Sequence, residues 1–388
     1  METSSHGIAF SQENMVGPIG IVNLRGAAEL GDKIEKHLMR WAKRGGVDVD
    51  SFLIENSCPR FASGDGKGIL HSSVRGYDLY YIADVGNYSC TYNYFGAENH
   101  MSPDDHFQDL KRLIQAASGK SLRITVIMPL LYGGRQHKKN YRESLDCAFA
   151  LQELQDMGVS NLVSFDAHDP RVQNAVPLMG FDNLMPSYQV LKTLFRSFPD
   201  ISTEKEKFMV VSPDEGGMSR NMYYASVLGV DLGMYYKRRD YAKVVNGRNP
   251  IVAHEYLGTS PEGKDVLVSD DMISSGESML DIAYNLKARK AKRIFTYVTY
   301  AIFTNGLEAF DKAYQDGVID AVFGSNLTYR SDELKNRPWF HEVDVSKYIA
   351  YFISALNHNM SIGKLIDPHV KIKALLEKRA KAEGQMGN

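Results

Sequence analysis

Short apolar runs alternate along this chain with stretches whose apolar residues recur every three or four positions, and the whole series occurs twice. Residues 27–43 have the spacing of an amphipathic helix. DLYYIA (78–83) and LRITVIMPL (122–130) have strand length, 142–157 returns to helical spacing, and Gly158 is placed to stop that helix. NLVSFDAHD (161–169) reads as a strand ending in polar residues. The series then restarts, with strands at 208–211, 232–236, 266–269, 294–300 and 321–324 and a helix at 219–228. Beyond about 330 the pattern is helical, at 345–357 and in a charged helix near 370–382, whose basic end (371–381) reads as a solvated face.

Strands alternating with helices predict α/β layers around mainly parallel sheets. A chain of 388 residues can form two such units with sizeable cores. The segment 183–195 gives way to the polar stretch 199–207, which puts the boundary near 185–205. The expected division is 1–190, 191–335 and a helical part, 336–388, packing back on the other two.

Composition narrows the class. With 44% hydrophobic and 24% charged residues the chain suits a globular protein, and a formal charge of −2 gives no bulk electrostatic case for a nucleic acid or membrane partner. Cys58, Cys90 and Cys147 are widely spaced and form no CxxC pair, so neither a disulfide framework nor a zinc site is expected. The first residues lack a basic stretch leading into an apolar one, and no apolar run is long enough to cross a bilayer. The expected location is the cytoplasm.

Candidate chemistry gathers at strand ends, where ligands of open α/β sheets bind. The most informative stretch is VLVSDDMISSGES (266–278): an apolar strand, the paired carboxylates Asp270 and Asp271, then a small hydroxyl-rich loop before a helix. Loop amides and a helix N-terminus can hold a phosphate, and two carboxylates suit the vicinal hydroxyls of a ribose or a magnesium ion. The plain alternative is a strand–turn–helix junction with a solvated acid pair.

Four further clusters occupy the same kind of position. Tyr132-Gly133-Gly134-Arg135-Gln136-His137-Lys138-Lys139 offers cations to a polyphosphate, or is a basic surface loop. Asp166-Ala167-His168-Asp169 can bind metal or orient phosphate, or its histidine is a structural hydrogen-bonding group. Ser212-Pro213-Asp214-Glu215-Gly216-Gly217 can present a carboxylate and amides to one ligand, or is a tight turn. Lys237-Arg238-Arg239 and the polar stretch to about 250 suit a mobile basic lid, or an exposed loop. Together the five clusters supply what a sugar phosphate, a nucleoside triphosphate and magnesium require.

In that order the clusters resemble the ribose-phosphate pyrophosphokinase family, and 266–278 resembles the phosphoribosyl-pyrophosphate loop of the type I phosphoribosyltransferase fold. RQHKK resembles the family's RQDRK, FDAHD its DLHA, SPDEGG its SPDxGG, YYKRRD its DKRR, and SVRGYD (73–78) its SVRGxD. Arg142-Glu143 resembles its RE pair. The resemblance runs from about 61 to 329. It implies two phosphoribosyltransferase-like domains, each a mainly parallel sheet flanked by helices, with an N-terminal extension and a helical C-terminus added here.

The implied reaction moves the diphosphoryl group of ATP to the anomeric hydroxyl of ribose 5-phosphate, with Mg2+, in a dimer-based homo-oligomer such as a hexamer. By position, the resemblance gives Arg135, Gln136, Lys139, Phe61 and Asp65 to ATP, and His168 and Asp214 to magnesium. It gives Asp270, Asp271, Ser274, Ser275, Gly276 and Ser278 to ribose 5-phosphate, and Lys237 and Arg239 to catalysis.

This sequence also departs from the family pattern. The adenine-side segment FxDGE, supplied in the family by a neighbouring subunit, here reads Phe61-Ala62-Ser63-Gly64-Asp65 and loses an acid at Ser63. His137 replaces an aspartate, Ser274 an acid, and Glu277 a small residue beside the phosphate loop. These departures keep two alternatives open: a catalytically silent regulatory homologue that binds nucleotide, and a phosphoribosyltransferase acting on a nucleobase.

Overall fold

The structure is a computed structural model that describes residues 14–239 and 251–386, with side chains described throughout except at 237–254 and 382–386. The chain forms two compact units. The described residues up to Pro186, with Asn326–Tyr329 and Asp344–Asp367, make the first, and Ser187–Ser325, Arg330–Val343 and the residues from Pro368 onward make the second.

The first unit contains β1 (Ile19–Asn23), the short pair β2 (Asn56–Ser57) and β3 (Ile69–Leu70), β4 (Asp78–Ile82), and a hairpin of β5 (Thr91–Tyr94) and β6 (Ala97–His100). β7 (Arg123–Ile127), β8 (Asn161–Phe165) and β9 (Gly180–Leu184) complete its strands, and α1 (Ala28–Arg44), α2 (Pro103–Ala117) and α3 (Asp146–Asp156) accompany them. Its main sheet has the order β1-β4-β7-β8-β9, parallel throughout. Outside β1 lies the remnant of one more strand: Leu53 forms a single parallel bridge with Ile21, whose N–H donates to the Phe52 carbonyl.

The second unit contains α4 (Ser187–Ser197), β10 (Phe208–Ser212), α5 (Met218–Leu228), β11 (Asp231–Arg239), β12 (Ile251–Leu257) and β13 (Asp265–Ile273). α6 (Glu277–Ala288), β14 (Arg293–Ala301), α7 (Glu308–Gln315), β15 (Ala321–Ser325), α8 (Asp332–Lys335) and β16 (Phe340–Val343) follow. The sheet order is β12-β11-β10-β13-β14-β15-β16, with only the edge strand β12 antiparallel among these pairs. Of the C-terminal helices, α9 (Ser346–Asn357) and α10 (Gly363–Ile366) belong to the first unit and α11 (His369–Met386) to the second. α9 packs on α1, where Trp41 and Tyr351 stack at 4.4 Å. α11 is held to α4 by Arg379, whose guanidinium lies 4.2 Å from the Phe195 ring centroid and donates to the Ile201 carbonyl at 2.6 Å.

The two units share one internal plan. Asp78 opens β4 and pairs with Arg123 at the start of β7, the two being opposite in register. Asp265 opens β13 and pairs with Arg293 at the start of β14 in the same way. Such buried forked pairs fix register more than they add stability. In both sheets the strand order turns back on itself beside the first strand, at β1/β4 and at β10/β13. A sheet of this kind binds ligand at that switch point, beyond the carboxyl ends of the strands.

Several sequence expectations change here. β13 continues to Ile273, because β14 pairs with it as far as Ala301, so Asp270 and Asp271 lie within a strand rather than after one. The backbone of Lys237, Arg238 and Arg239 likewise extends β11 against β12 instead of opening a loop. The rest of the expected lid, 240–250, lies outside the described residues. The helix expected at 142–157 begins only at Asp146, and the strand expected at 161–169 ends at Phe165, where Asp166 takes a left-handed φ of 44°. The hairpin β5–β6, helix α2 and strand β16 were not anticipated, although Ser102-Pro103-Asp104-Asp105 spells the capping box that starts α2.

Candidate active site

In the second unit the switch point is acidic. Asp214 follows β10 directly, and its Oδ1 accepts the Gly217 N–H at 3.0 Å, which closes the Pro-Asp-Glu-Gly turn. Asn221, fully buried on α5, ties that turn to β13: its Nδ2 donates to the Gly217 carbonyl at 2.9 Å and the Ser269 carbonyl at 2.8 Å, and its Oδ1 accepts the Ser269 N–H at 3.2 Å. The carboxylates of Asp214, Asp270 and Asp271 therefore stand in one electrostatic neighbourhood. Burial, with the charge of Asp271 next, pushes the Asp270 carboxyl up to about 7, and Arg220, 3.4 Å from Asp270 Oδ1, pulls the other way. The carboxyl holds its proton because it is buried among like charges that Arg220 only partly offsets. That is where a cation or sugar hydroxyl hydrogens would be stabilised.

The loop after β13 turns at Gly276, the residue before α6, with a φ of 87°. A Cβ there would come within 2.4 Å of the Phe310 ring, so glycine is required on two counts. The Ser274 carbonyl accepts the Thr304 N–H at 2.8 Å, which anchors the loop to the end of β14. Ser274 and Ser275 are half-buried and Ser278 is exposed in the first turn of α6. The first amides of a helix lack intrahelical partners, so this loop and helix start can accept a phosphate. Glu277 is exposed, with the Asn305 amide 3.4 Å from its carboxylate.

In the first unit two of the expected clusters meet. His137 Nε2 lies 3.5 Å from Asp169 Oδ2, and the His137 and His168 rings are 5.4 Å apart. Arg171 grips Asp169 and holds its carboxyl well below the usual range. Gln136 braces its own loop by donating to the Ser144 carbonyl at 2.8 Å, while Arg135 and Lys139 are exposed. Gly133, at φ 66°, turns this loop under the start of α3, where a Cβ would press on the Cys147 amide. Phe61 and Asp65 close a small turn of their own through Phe61 N–H to Asp65 O, and the Ser63 hydroxyl donates to Asp65 Oδ2 at 2.8 Å.

The structure thus places Arg135, Gln136, Lys139, His168, Phe61 and Asp65 in the first unit, and Asp214, Asp270, Asp271, Ser274, Ser275, Gly276 and Ser278 in the second. Lys237 and Arg239 are located by their backbone in β11, opposite His254 and Ile251. Sequence reasoning missed Arg220 and Asn221, which look like ordinary helix residues until the register of β10 and β13 is known. Among the described residues no three His, Cys, Asp or Glu side chains form a ready metal cage. The acidic second-unit cluster nevertheless suits magnesium, which binds through one or two carboxylates with water and phosphate oxygens completing its shell. No described helix is long and apolar enough to span a membrane.

Comparison with known proteins agrees with this layout. The family profile for the N-terminal domain of ribose phosphate pyrophosphokinase matches residues 19–158, and the phosphoribosyl transferase domain profile matches 186–327. The ribose-phosphate pyrophosphokinase of Vibrio cholerae is 26% identical over 314 residues, covering 79% of this chain and 90% of its own. That of Mycoplasma pneumoniae is 27% identical over 275 residues, covering 69% and 78%. The crystal structure of phosphoribosylpyrophosphate synthetase from Mycobacterium smegmatis superposes with a TM-score of 0.70 at 21% identity, over 88% of this chain and 99% of that one, which shows a shared fold. The two profiles between them span most of the sequence, and the chain belongs to the ribose-phosphate pyrophosphokinase family.

Proposed function

We propose that this protein transfers the β,γ-diphosphoryl group of ATP to the anomeric hydroxyl of ribose 5-phosphate, giving phosphoribosyl pyrophosphate and AMP. The observation that carries the reading is the acidic switch point of the second unit, where Asp270 and Asp271 precede a phosphate-sized loop and Asn221 fixes Asp214 beside them. The ribose hydroxyls donate to Asp270 and Asp271, and the 5-phosphate sits on residues 274–278. The anomeric oxygen attacks the β-phosphorus and gives its proton to solvent, and the bond between the β-phosphorus and the oxygen that bridges it to the α-phosphorus breaks, so that AMP leaves with the electron pair. Lys237 and Arg239 stabilise the charge that spreads over the transferring group, an interaction stronger in the transition state than in the ground state.

Arg135, Gln136 and Lys139 hold the triphosphate, while Phe61 and Asp65 serve the ATP of a neighbouring copy in a homo-oligomer. His168 and Asp214 would hold magnesium, which supplies charge neutralisation at the phosphates. Glu277, the departure most hostile to a bound phosphate, is exposed and near the Asn305 amide, which removes one objection to an active enzyme. The purified protein given ATP, magnesium and ribose 5-phosphate should form AMP and phosphoribosyl pyrophosphate one for one. Nucleotide binding without either product would instead support the silent regulatory homologue.

A further inference from the structure

The first unit has a switch point of its own, and its charge is inverted. Ile19 lies opposite Asp78 as Phe208 lies opposite Asp265, so counting along β1 and β10 puts Arg25 where the second unit has Asp214. Counting from Asp78 and Asp265 puts Ala83 in the place of Asp270 and Asp84 in that of Asp271. Asp84 is already spent: its carboxylate accepts the Thr328 hydroxyl at 2.9 Å, the Tyr329 N–H at 2.8 Å and the Gly86 N–H at 2.9 Å. The acid trio of the second unit has thus become one arginine, one alanine and one engaged aspartate.

A cavity of about 450 Å³ opens beside Arg25, on the side of β1 away from β4, between the end of β1, residues 56–60 and α2. That volume is within the range of small-molecule sites. Arg25 and Arg60 both line it, and so does the acid Asp109. Arg60 forks onto Asp109 at 2.7 and 3.0 Å, and Arg112 donates to the same carboxylate at 2.8 Å, so a single buried acid serves two guanidinium groups. Arg25 is exposed and donates to the Thr91 carbonyl, a neutral group. Asp105, the next acid on α2, is occupied in capping that helix through Ser102. Two other titratable lining groups add no charge at neutral pH: burial pushes the Cys58 thiol up to about 12 and lowers the His106 imidazole.

Beside the polar Asn23, Asn56 and Ser57, part of the lining supplies a body-binding surface. The Tyr92 ring carries the Arg60 guanidinium 5.2 Å from its centroid, and Leu24, Met101 and Leu113 are apolar. Glycines flank the residues that shape the cavity. A Cβ on Gly66 would collide with both the Arg60 and Arg112 guanidinium groups, and one on Gly26 with the His106 ring.

We propose that this cavity is a second ligand site, taking a small organic phosphate monoester whose dianionic head meets Arg25 and Arg60 and whose body lies along Tyr92 and the apolar wall. Forked guanidinium donors recognise phosphate oxygens, and the space exceeds what inorganic phosphate alone would fill. The site is separate from the ribose 5-phosphate loop of the other unit and does not depend on the reaction proposed above.

Calorimetry with phenyl phosphate, followed by crystals soaked in it, tests the assignment. Phenyl phosphate should bind more tightly than inorganic phosphate. Arg25→Gln should weaken it about tenfold, the loss of a charge-assisted contact, and Tyr92→Ser should erase its advantage over inorganic phosphate. Asp271→Asn in the other unit should leave this binding event unchanged. Electron density for the probe beside Arg25 supports the site. Affinity indifferent to both Arg25→Gln and Tyr92→Ser, or density only at residues 274–278, overturns it, whether or not the protein makes phosphoribosyl pyrophosphate.

Discussion

The two units place an aspartate at the same register position in contrasting surroundings. Asp84, at the end of β4, is buried and saturated by a hydroxyl and two amides. Asp271, its counterpart in β13, stands beside Asp270, with Asp214 in the same field, and burial followed by the Asp271 charge raises the affinity of Asp270 for a proton. A fully hydrogen-bonded carboxylate is a structural clamp, whereas like charges crowded together and drawn out of water are a signature of binding sites. Fold and register are shared, so the chemistry of each unit is decided by a few residues at the strand ends.

The largest test of that contrast lies in the strand that the first unit has reduced to one bridge. Lys237→Ala in β11 should lower kcat by about a thousandfold or more, the scale of a lost transition-state cation, with ATP affinity changing far less in equilibrium binding. Equal losses in both would assign Lys237 to ground-state binding. Next, Asp271→Asn should reduce kcat/KM for ribose 5-phosphate by about ten- to a hundredfold, as expected for hydrogen bonds to a charged group, and leave the melting temperature nearly unchanged. Asp84→Asn should do the reverse. It leaves a buried cluster poorly satisfied and should cost about 1–3 kcal/mol in chemical denaturation, with kinetic constants close to wild type in the folded protein. Were the two asparagine variants to behave alike, the division of labour would be wrong.

The pH dependence should be the smallest effect and the most specific. Burial and the adjoining Asp271 charge push the folded Asp270 carboxyl up to about 7, above the unfolded value of ~3.9. The stability linked to this group is therefore fully present below the unfolded value and is lost as pH rises through about 7. An Asp270 that accepts the ribose hydroxyls must be ionised, so under the proposed function kcat/KM for ribose 5-phosphate should climb across the interval in which thermal stability declines. Asp270→Asn should flatten that part of the melting-temperature profile. An unchanged profile would remove the titration from Asp270.

Much of the second unit's local layout could be read from residue order, because VLVSDDMISSGES keeps strand, acids, loop and helix start contiguous. What the sequence concealed is the length of the ladders. Nothing local tells β13 to continue past Asp271, and only its pairing with β14 as far as Ala301 does so. The clamp role of Asp84 was equally hidden, since Thr328 lies 244 positions away. Asn221 gives no motif, and its function appears only once β10 and β13 are neighbours. Arg25 carried no signal either. It follows a short apolar run as many surface arginines do, and becomes informative only through its register with Asp214.

The most direct measurement is a crystal structure of the protein soaked with ribose 5-phosphate. The 5-phosphate should lie on residues 274–278 with the ribose hydroxyls on Asp270 and Asp271, and an Asp271→Asn crystal treated identically should show that site at much reduced occupancy. A sugar phosphate bound elsewhere, with the loop after β13 empty at saturating concentration, would contradict the account.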